Sequence, residues 1–524
     1  MLYPLACGAL AALLSSPFAQ GQAMPPIPPL QNLPGPQCDD WNSKFRLSGS
    51  QIASAGISEN IANNVNVAVN FERTNWATGS VEDDPFYTDV PESSTYLPPG
   101  SLLKVEDYTN ASLYTFPPNI AISRFMYQTL DWNGSLVPAS AFILWPFHPR
   151  EVPGKGKDTS KNIPLVGWAH GTSGVFSECA PSHIRNLWFQ YSAPFTLALQ
   201  GYAIVAPDYA GLGVSKTFDG KHIPHPWITF DAHGKDLLYA VHAAHDAYKE
   251  LLSSEYVLFG HSQGGAATWA ATTTLQNWTV SKPDGEPPNA VHDFLTSNYL
   301  GAVPAAAGGA PFLEPMLFGS PDFLRVNAYG TLLGHAASIL TPTPLDEIFT
   351  PAGLGRYTLL RALRGANSVL GELFNAATAP AAGFWLRDSF LTPDGVAAKI
   401  FRQETAYYAR QPRGPLLVLQ GTTDQSAPAP STVALVEQVC KTYGEDLDLD
   451  FAVFEGVAHV PVLYAGQRVW LDWIGDRFEE VGGDGGKTKK RCRNKTYKAV
   501  REVDKYSQDL QYSLSFVRYP YQIA

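Results

Sequence analysis

No phosphate-binding loop, no dinucleotide fingerprint, no HExxH segment and no cysteine cluster occurs in this chain of 524 residues. The sequence therefore calls for no cofactor and no metal. Charge is also scarce: 16% of residues are Asp, Glu, Lys or Arg, with 48 acidic against 37 basic, a net charge of −11. Nucleic acid needs a concentrated cationic face, so it is excluded as the main partner, and the acidity serves solubility. Beyond the N-terminus no stretch approaches the roughly eighteen uninterrupted apolar residues of a spanning helix. What is plentiful is apolar mass. Hydrophobic residues make up 45% of the chain, with 12 Trp, 24 Tyr and 27 Phe. That is material for a sizeable core and a lined pocket, and it excludes a disordered or fibrous protein.

Cysteine is sparse too, five in all. Residues 1–23 read as a secretory signal, an apolar stretch over 5–14 followed by small residues with cleavage after Gly21 or Ala23. Cys7 leaves with it. Cys38, Cys179, Cys440 and Cys492 remain, an even number that allows three pairings in an oxidising compartment. Glycosylation sequons at Asn110, Asn133, Asn277 and Asn494 fit the same route. The expectation is a soluble, secreted protein whose oligomeric state has no signature in the sequence.

From residue 163 onward, short apolar runs at 163–169, 202–206, 256–259, 300–303, 416–419 and 449–454 alternate with helical stretches around 188–199 and 231–252 and after 259 and 419. In the second stretch Leu237, Val241, Ala244, Tyr248 and Leu251 recur at helical spacing. Continuous apolar strands alternating with helices predict an α/β protein, a mostly parallel sheet covered by helices on both faces. The runs 122–130 and 137–145 flank Asn133-Gly134 and predict an antiparallel hairpin at one edge. The division expected is a signal (1–23), a partly irregular extension wrapping the core (24–111), a core in two parts (112–303 and 411–480), an inserted helical cap (304–410), and a Gly-rich joint with a solvated basic tail (481–524). About 110 residues between two core strands far exceed an ordinary connection, which is why the cap is inferred. Its clusters, Phe312, Leu313, Met316, Leu317 and Phe318, then Leu354, Leu359, Leu360, Leu363, Leu370, Leu373 and Phe374, pack the cap or line an acyl pocket.

The run 256–267 carries the chemistry. A short apolar strand breaks into Gly260-His261-Ser262-Gln263-Gly264-Gly265 and then a small-residue helix, a GxSxG nucleophile elbow that lifts Ser262 Oγ clear of the sheet. A serine hydroxyl is nearly inert alone. It needs an imidazole to take its proton and an acid to hold the imidazole tautomer. Only His292, His335 and His459 follow Ser262; His292 precedes a strand and His335 sits in the cap, which leaves His459, just past the last core strand. Asp424, in the loop after 416–419, is the candidate acid, with an Asx-turn role as its bland alternative. Asp446, Asp448 and Asp450 lie at the wrong end of the last strand and read as solvated. For the oxyanion, one N–H is expected from Gln263 and the other from Thr172, with Gly171 as the alternative, in the loop after 163–169. His233, His242 and His245 suggest a metal face but read better as an exposed helix face, and Asp208 reads as a structural turn residue.

With these motifs in place, the chain resembles the secretory lipase family of α/β-hydrolases, the group that includes the yeast lipase A type. The resemblance rests on Trp168-Ala169-His170-Gly171-Thr172-Ser173-Gly174 followed by Cys179-Ala180-Pro181-Ser182, on the GYAIVAPDYAGLG run at 201–213, on the elbow, and on 417–424 with His459. It covers roughly residues 100–478. It implies an α/β-hydrolase fold with an inserted helical cap, an extracellular lipase or carboxylesterase, and Ser262, Asp424 and His459 as triad. In the lipase A type the cysteine after the oxyanion loop is tied to one in the cap. This cap has none, so Cys179 pairs with Cys38, Cys440 or Cys492, or stays free. The expected partner is an ester substrate, lipid or otherwise apolar, with at most transient contact with a lipid interface. An esterase or acyltransferase for specialised small molecules, a peptidase, and an inactive binding module are the alternatives.

Overall fold

The computed structural model describes residues 44–106, 108–152, 162–280, 289–308, 313–319, 322–325, 328–374, 384–480 and 491–507. The expected signal, Cys7, Cys38 and Phe312 lie outside the described residues. Ten strands form one sheet: β1 (Leu102–Val105), β2 (Ile120–Leu130), β3 (Leu136–Pro146), β4 (Ile163–Ala169), β5 (Ala203–Pro207), β6 (Leu252–His261), β7 (Tyr299–Ala305), β8 (Leu416–Gly421), β9 (Leu449–Phe454) and β10 (Cys492–Tyr497). Their spatial order is β1-β2-β3-β5-β4-β6-β7-β8-β9-β10. β1 to β3 and the β3/β5 pair are antiparallel, and every other pair is parallel. The hairpin turns at Asn133-Gly134, as its residues predict.

Because side chains alternate across a strand, each central strand feeds two cores. Tyr256 and Leu258 of β6 and Leu416 and Val418 of β8 face one. Val257 and Phe259, with Leu417 and Leu419, face the other. The helices Phe230–Tyr248 and Gln263–Val280 cover the first face with Leu237, Val241, Ala266 and Leu275. Gln467–Glu480 covers the second with Trp470, Ile474 and Phe478. The parallel strands end together, so the loops after β4, β6, β8 and β9 meet at one sheet edge, the place where a strand-to-helix fold presents ligand-binding groups.

Several expectations need correction. The extension is less irregular than its composition suggests. Ser58 caps a sixteen-residue helix, Glu59–Thr74, whose Ala62, Val65, Ala68 and Val69 are buried. Of the stretch expected to be helical at 188–199, only Pro194–Leu199 is α-helix, and Trp188 sits in a turn with φ 69°. The basic tail is not wholly solvated. Cys492–Tyr497 is β10, paired along its length with β9 and held by the Cys440–Cys492 disulfide. There Arg493 bonds Asp448 and Asp450, so those two carboxylates form an ion-pair cluster instead of standing free in water. Cys179 is buried with a free thiol. Asn110, Asn133 and Asn494 are exposed, and Asn277 is half-buried on the Gln263–Val280 helix.

Candidate active site

Ser262 stands between the end of β6 and the first residue of the Gln263–Val280 helix, in the left-handed region with φ 59°. A non-glycine residue held there costs roughly 1–3 kcal/mol, so neighbours must impose the conformation. They do so through the backbone. Ser262 N–H donates to Ala305 O at 3.0 Å, while Ser262 O accepts from Ala266 N–H at 3.0 Å and Gly308 N–H at 3.2 Å. The flanking glycines are a steric requirement. A Cβ on Gly264 would lie 1.9 Å from Ala169 O, and one on Gly260 would lie 2.2 Å from Gly264 O.

Asp424 follows β8 and is almost fully buried. Its carboxylate divides its work between two oxygens. Oδ1 accepts from the N–H groups of Ser426 and Ala427 at 2.9 and 2.8 Å, the Asx-type closure that the sequence allowed. Oδ2 accepts from His459 Nδ1 at 2.8 Å and from Gln420 Nε2 at 3.3 Å. The turn role and the pairing role belong to the same side chain. His459 lies in the loop after β9, its carbonyl bonded by His261 Nε2 at 3.0 Å and its ring 4.5 Å from that of His261, the residue preceding Ser262. Donation from Nδ1 to a carboxylate puts the lone pair of the neutral ring on Nε2.

Gln263 carries the first N–H of its helix, which has no intrahelical acceptor. Thr172 is gripped from both sides: its Oγ1 accepts from Trp227 Nε1 at 2.8 Å and its carbonyl from Asn367 Nδ2 at 2.6 Å. Gly171 packs on Phe189, where a Cβ would lie 2.8 Å from the ring and 3.2 Å from His261 O.

Ser262, Gln263, Gly308 and Ser426 line a pocket whose other walls are Trp227, Ile228, Phe230, Leu313, Leu317, Leu324, Tyr329, Leu333 and Phe401. Gly308, Leu313, Leu317, Leu324, Tyr329, Leu333 and Phe401 come from the stretch read as a cap, which is helical at Ala328–Leu340, Pro351–Leu363, Asn367–Leu373 and Val396–Thr405. Leu359, Leu360, Leu363, Leu370, Leu373 and Phe374 are buried in packing and do not line it. Sequence reasoning missed Trp227, Ile228 and Phe230, which lie in the long β5 to β6 connection far from any motif.

Of the other histidines, His233 is buried and His242 and His245 are half-buried, which corrects the exposed-face reading. Among the described residues no group of three His, Cys, Asp or Glu could hold a metal ion. His292 stacks on Trp278, and His335 bonds Tyr357; neither lines the pocket that holds Ser262. Asp208 is fully buried and accepts from Ser140 Oγ, Ser182 N–H and Ser182 Oγ; burial pushes its carboxyl up to about 6.

The model of the alpha/beta hydrolase family matches residues 168–470, a span that contains Thr172, Ser262, Asp424 and His459. The chain belongs to the α/β hydrolase family. This hydrolase is similar in fold to Candida antarctica lipase A in its closed state, at 18% identity and a TM-score of 0.57, over 78% of this chain and 88% of that one. It is similar also to the rice cell wall degrading esterase LipA from Xanthomonas oryzae, at 18% identity and a TM-score of 0.51, over 72% of this chain and 97% of that one. No curated protein matches the sequence. No helix among the described residues is long and apolar enough to cross a membrane.

Proposed function

We propose that this α/β hydrolase is a secreted serine ester hydrolase, of lipase or carboxylesterase type, acting on esters with an apolar acyl group. The observation that carries the reading is the bonded Asp424–His459 pair, whose imidazole packs on His261, the residue before a positive-φ serine on the floor of an apolar pocket. His459 Nε2 takes the Ser262 hydroxyl proton as Oγ bonds the ester carbonyl carbon. The tetrahedral oxyanion is held by the N–H groups of Gln263 and Thr172, and the C–O bond to the alcohol breaks as that oxygen receives the proton from His459. Water then repeats the sequence on the acyl-enzyme and releases the acid. The lipase and esterase among the fold neighbours support ester substrates. The apolar N-terminus, the sequons and the Cys440–Cys492 bridge support export to an oxidising compartment.

A fluorophosphonate probe is expected to label Ser262, and Ser262→Ala to lose esterase activity on p-nitrophenyl esters by several orders of magnitude. An unlabelled Ser262, or a fully active Ser262→Ala, overturns the reading. A series from acetate to long-chain glycerides sorts lipase from small-ester esterase.

A further inference from the structure

Behind the elbow lies a group of buried rings that the proposed mechanism does not use. Gln263 is 2% exposed, and its amide nitrogen lies 3.2 Å from His225 Nε2 and 3.3 Å from His233 Nδ1. The direction of every bond in this group follows from its neighbours. His225 Nδ1 lies 3.0 Å from Ala210 O, which can only accept, so the proton sits on Nδ1 and Nε2 offers a lone pair. Thr229 Oγ1 gives its hydrogen to Pro226 O at 2.8 Å, so it accepts from His233 Nε2, and His233 Nδ1 offers the second lone pair. The two N–H bonds of the Gln263 amide are thus both taken, one by each imidazole. Its Oε1 is buried with no hydrogen-bond partner.

We propose that the Gln263 side chain is a positioning residue, clamped by neutral His225 and His233 so that the Gln263 backbone N–H keeps its aim at the oxyanion. This rests on the ester-hydrolase reading above. The amide satisfies two buried imidazole lone pairs while its own oxygen stays without a partner, so losing it also costs the fold. What it adds is orientation, because a planar NH2 group held at two points cannot rotate. The clamp requires uncharged imidazoles, and burial supplies that condition, pushing His225 down to about 3 and His233 well below its ordinary value. The ring stack continues from His225 to His233 at 4.7 Å, to Tyr209 at 4.8 Å and to His170 at 4.3 Å. Tyr209 OH donates to His170 O at 2.9 Å, and His170 Nδ1 donates to Gly171 O at 2.8 Å. The same stack therefore supports the Gly171-Thr172 loop, and with it the spacing of the two donors.

The test uses Gln263→Met in the full-length protein, which keeps the backbone N–H and the volume but removes the clamp. On p-nitrophenyl butyrate, kcat is expected to fall on the order of 10–100-fold with KM within about twofold. The inhibition constant of an arylboronic acid, whose adduct on Ser262 places an oxygen in the oxyanion position, is expected to rise by a similar factor, measured well below a melting temperature that the two orphaned imidazoles lower. His233→Phe keeps a ring in the stack and removes one acceptor. It should give the same signature, and it carries the test if Gln263→Met does not fold. The double variant should be no worse than Gln263→Met alone. Variants with kcat and boronate affinity within twofold of the parent, or with the loss confined to KM, overturn the proposal. A fully active Ser262→Ala overturns the ester-hydrolase reading instead, which separates the two failures.

Discussion

On the sheet side of the pocket, the residues proposed for chemistry are each fixed by bonds of defined direction: Ser262 to Ala305, Asp424 to His459, Gln263 to two imidazoles. On the helical side, Leu313, Leu317, Leu324, Tyr329, Leu333 and Phe401 present methyl groups and two rings. Directional bonds hold atoms to fractions of an ångström, as proton transfer needs. Apolar contact is non-directional and scales with area, so it can sort acyl groups by length without committing to a single pose. On the proposed function, the difference assigns reaction type to the floor and substrate range to the roof.

The two meet at a joint made by the N-terminal extension. Glu72 accepts from the N–H groups of Ala366 and Val369 at the start of the Asn367–Leu373 helix. Asn367 in turn bonds the carbonyl of Thr172. Burial pushes the Glu72 carboxyl up to about 7, against the lowering by those N–H groups.

The contrast can be broken hardest at the floor. Asp424→Asn keeps an oxygen for Ser426 and Ala427 but turns an N–H toward His459 Nδ1, disfavouring the productive tautomer; kcat in a stopped-time esterase assay is expected to drop roughly 10⁴-fold across all chain lengths. A drop that depended on chain length would erase the distinction between floor and roof. At the roof, Leu317→Trp shortens the pocket. Activity on long-chain esters should fall on the order of 10–100-fold relative to the acetate, with acetate hydrolysis close to parental. Equal loss on both would place Leu317 outside the acyl path.

The smallest effect belongs to the joint. Because the folded-state pKa of Glu72 is raised from 4.5 to about 7, its ionisation weakens the fold as pH climbs through that window. Glu72→Gln, which cannot ionise, should be less stable than the parent at pH 5. The gap should narrow by on the order of 1–3 kcal/mol by pH 8, read from thermal melts at each pH. A gap that widened with pH would reverse the sign assigned to Glu72.

Much of the floor was legible along the chain. The apolar runs at 163–169 and 449–454 coincide with β4 and β9, and the elbow, Asp424 and His459 each sit just past a strand end, where chain order and composition are local signals. The clamp was not legible, because His225 and His233 lie 38 and 30 residues from Gln263 and meet it only through packing. The helix Glu59–Thr74 was hidden by a polar face and by asparagines that are in fact buried: Asn70 bonds Phe45 and Asn66 bonds Leu47. β10 was hidden by its charge. An edge strand can carry Arg493 and Lys495 because one side faces solvent and Asp448 and Asp450 answer the arginine.

By itself the sequence determined the alternation of strand and helix, the elbow, and the order serine, aspartate, histidine, since periodicity and turn chemistry act over a few residues. Only the tertiary structure decided that Cys440 joins Cys492, that Asp424 serves the turn and His459 at once, and which cap leucines face Ser262. Apart from the Asp424 turn itself, those are contacts between segments tens of residues apart. Folding the sheet is what brings them within bonding distance.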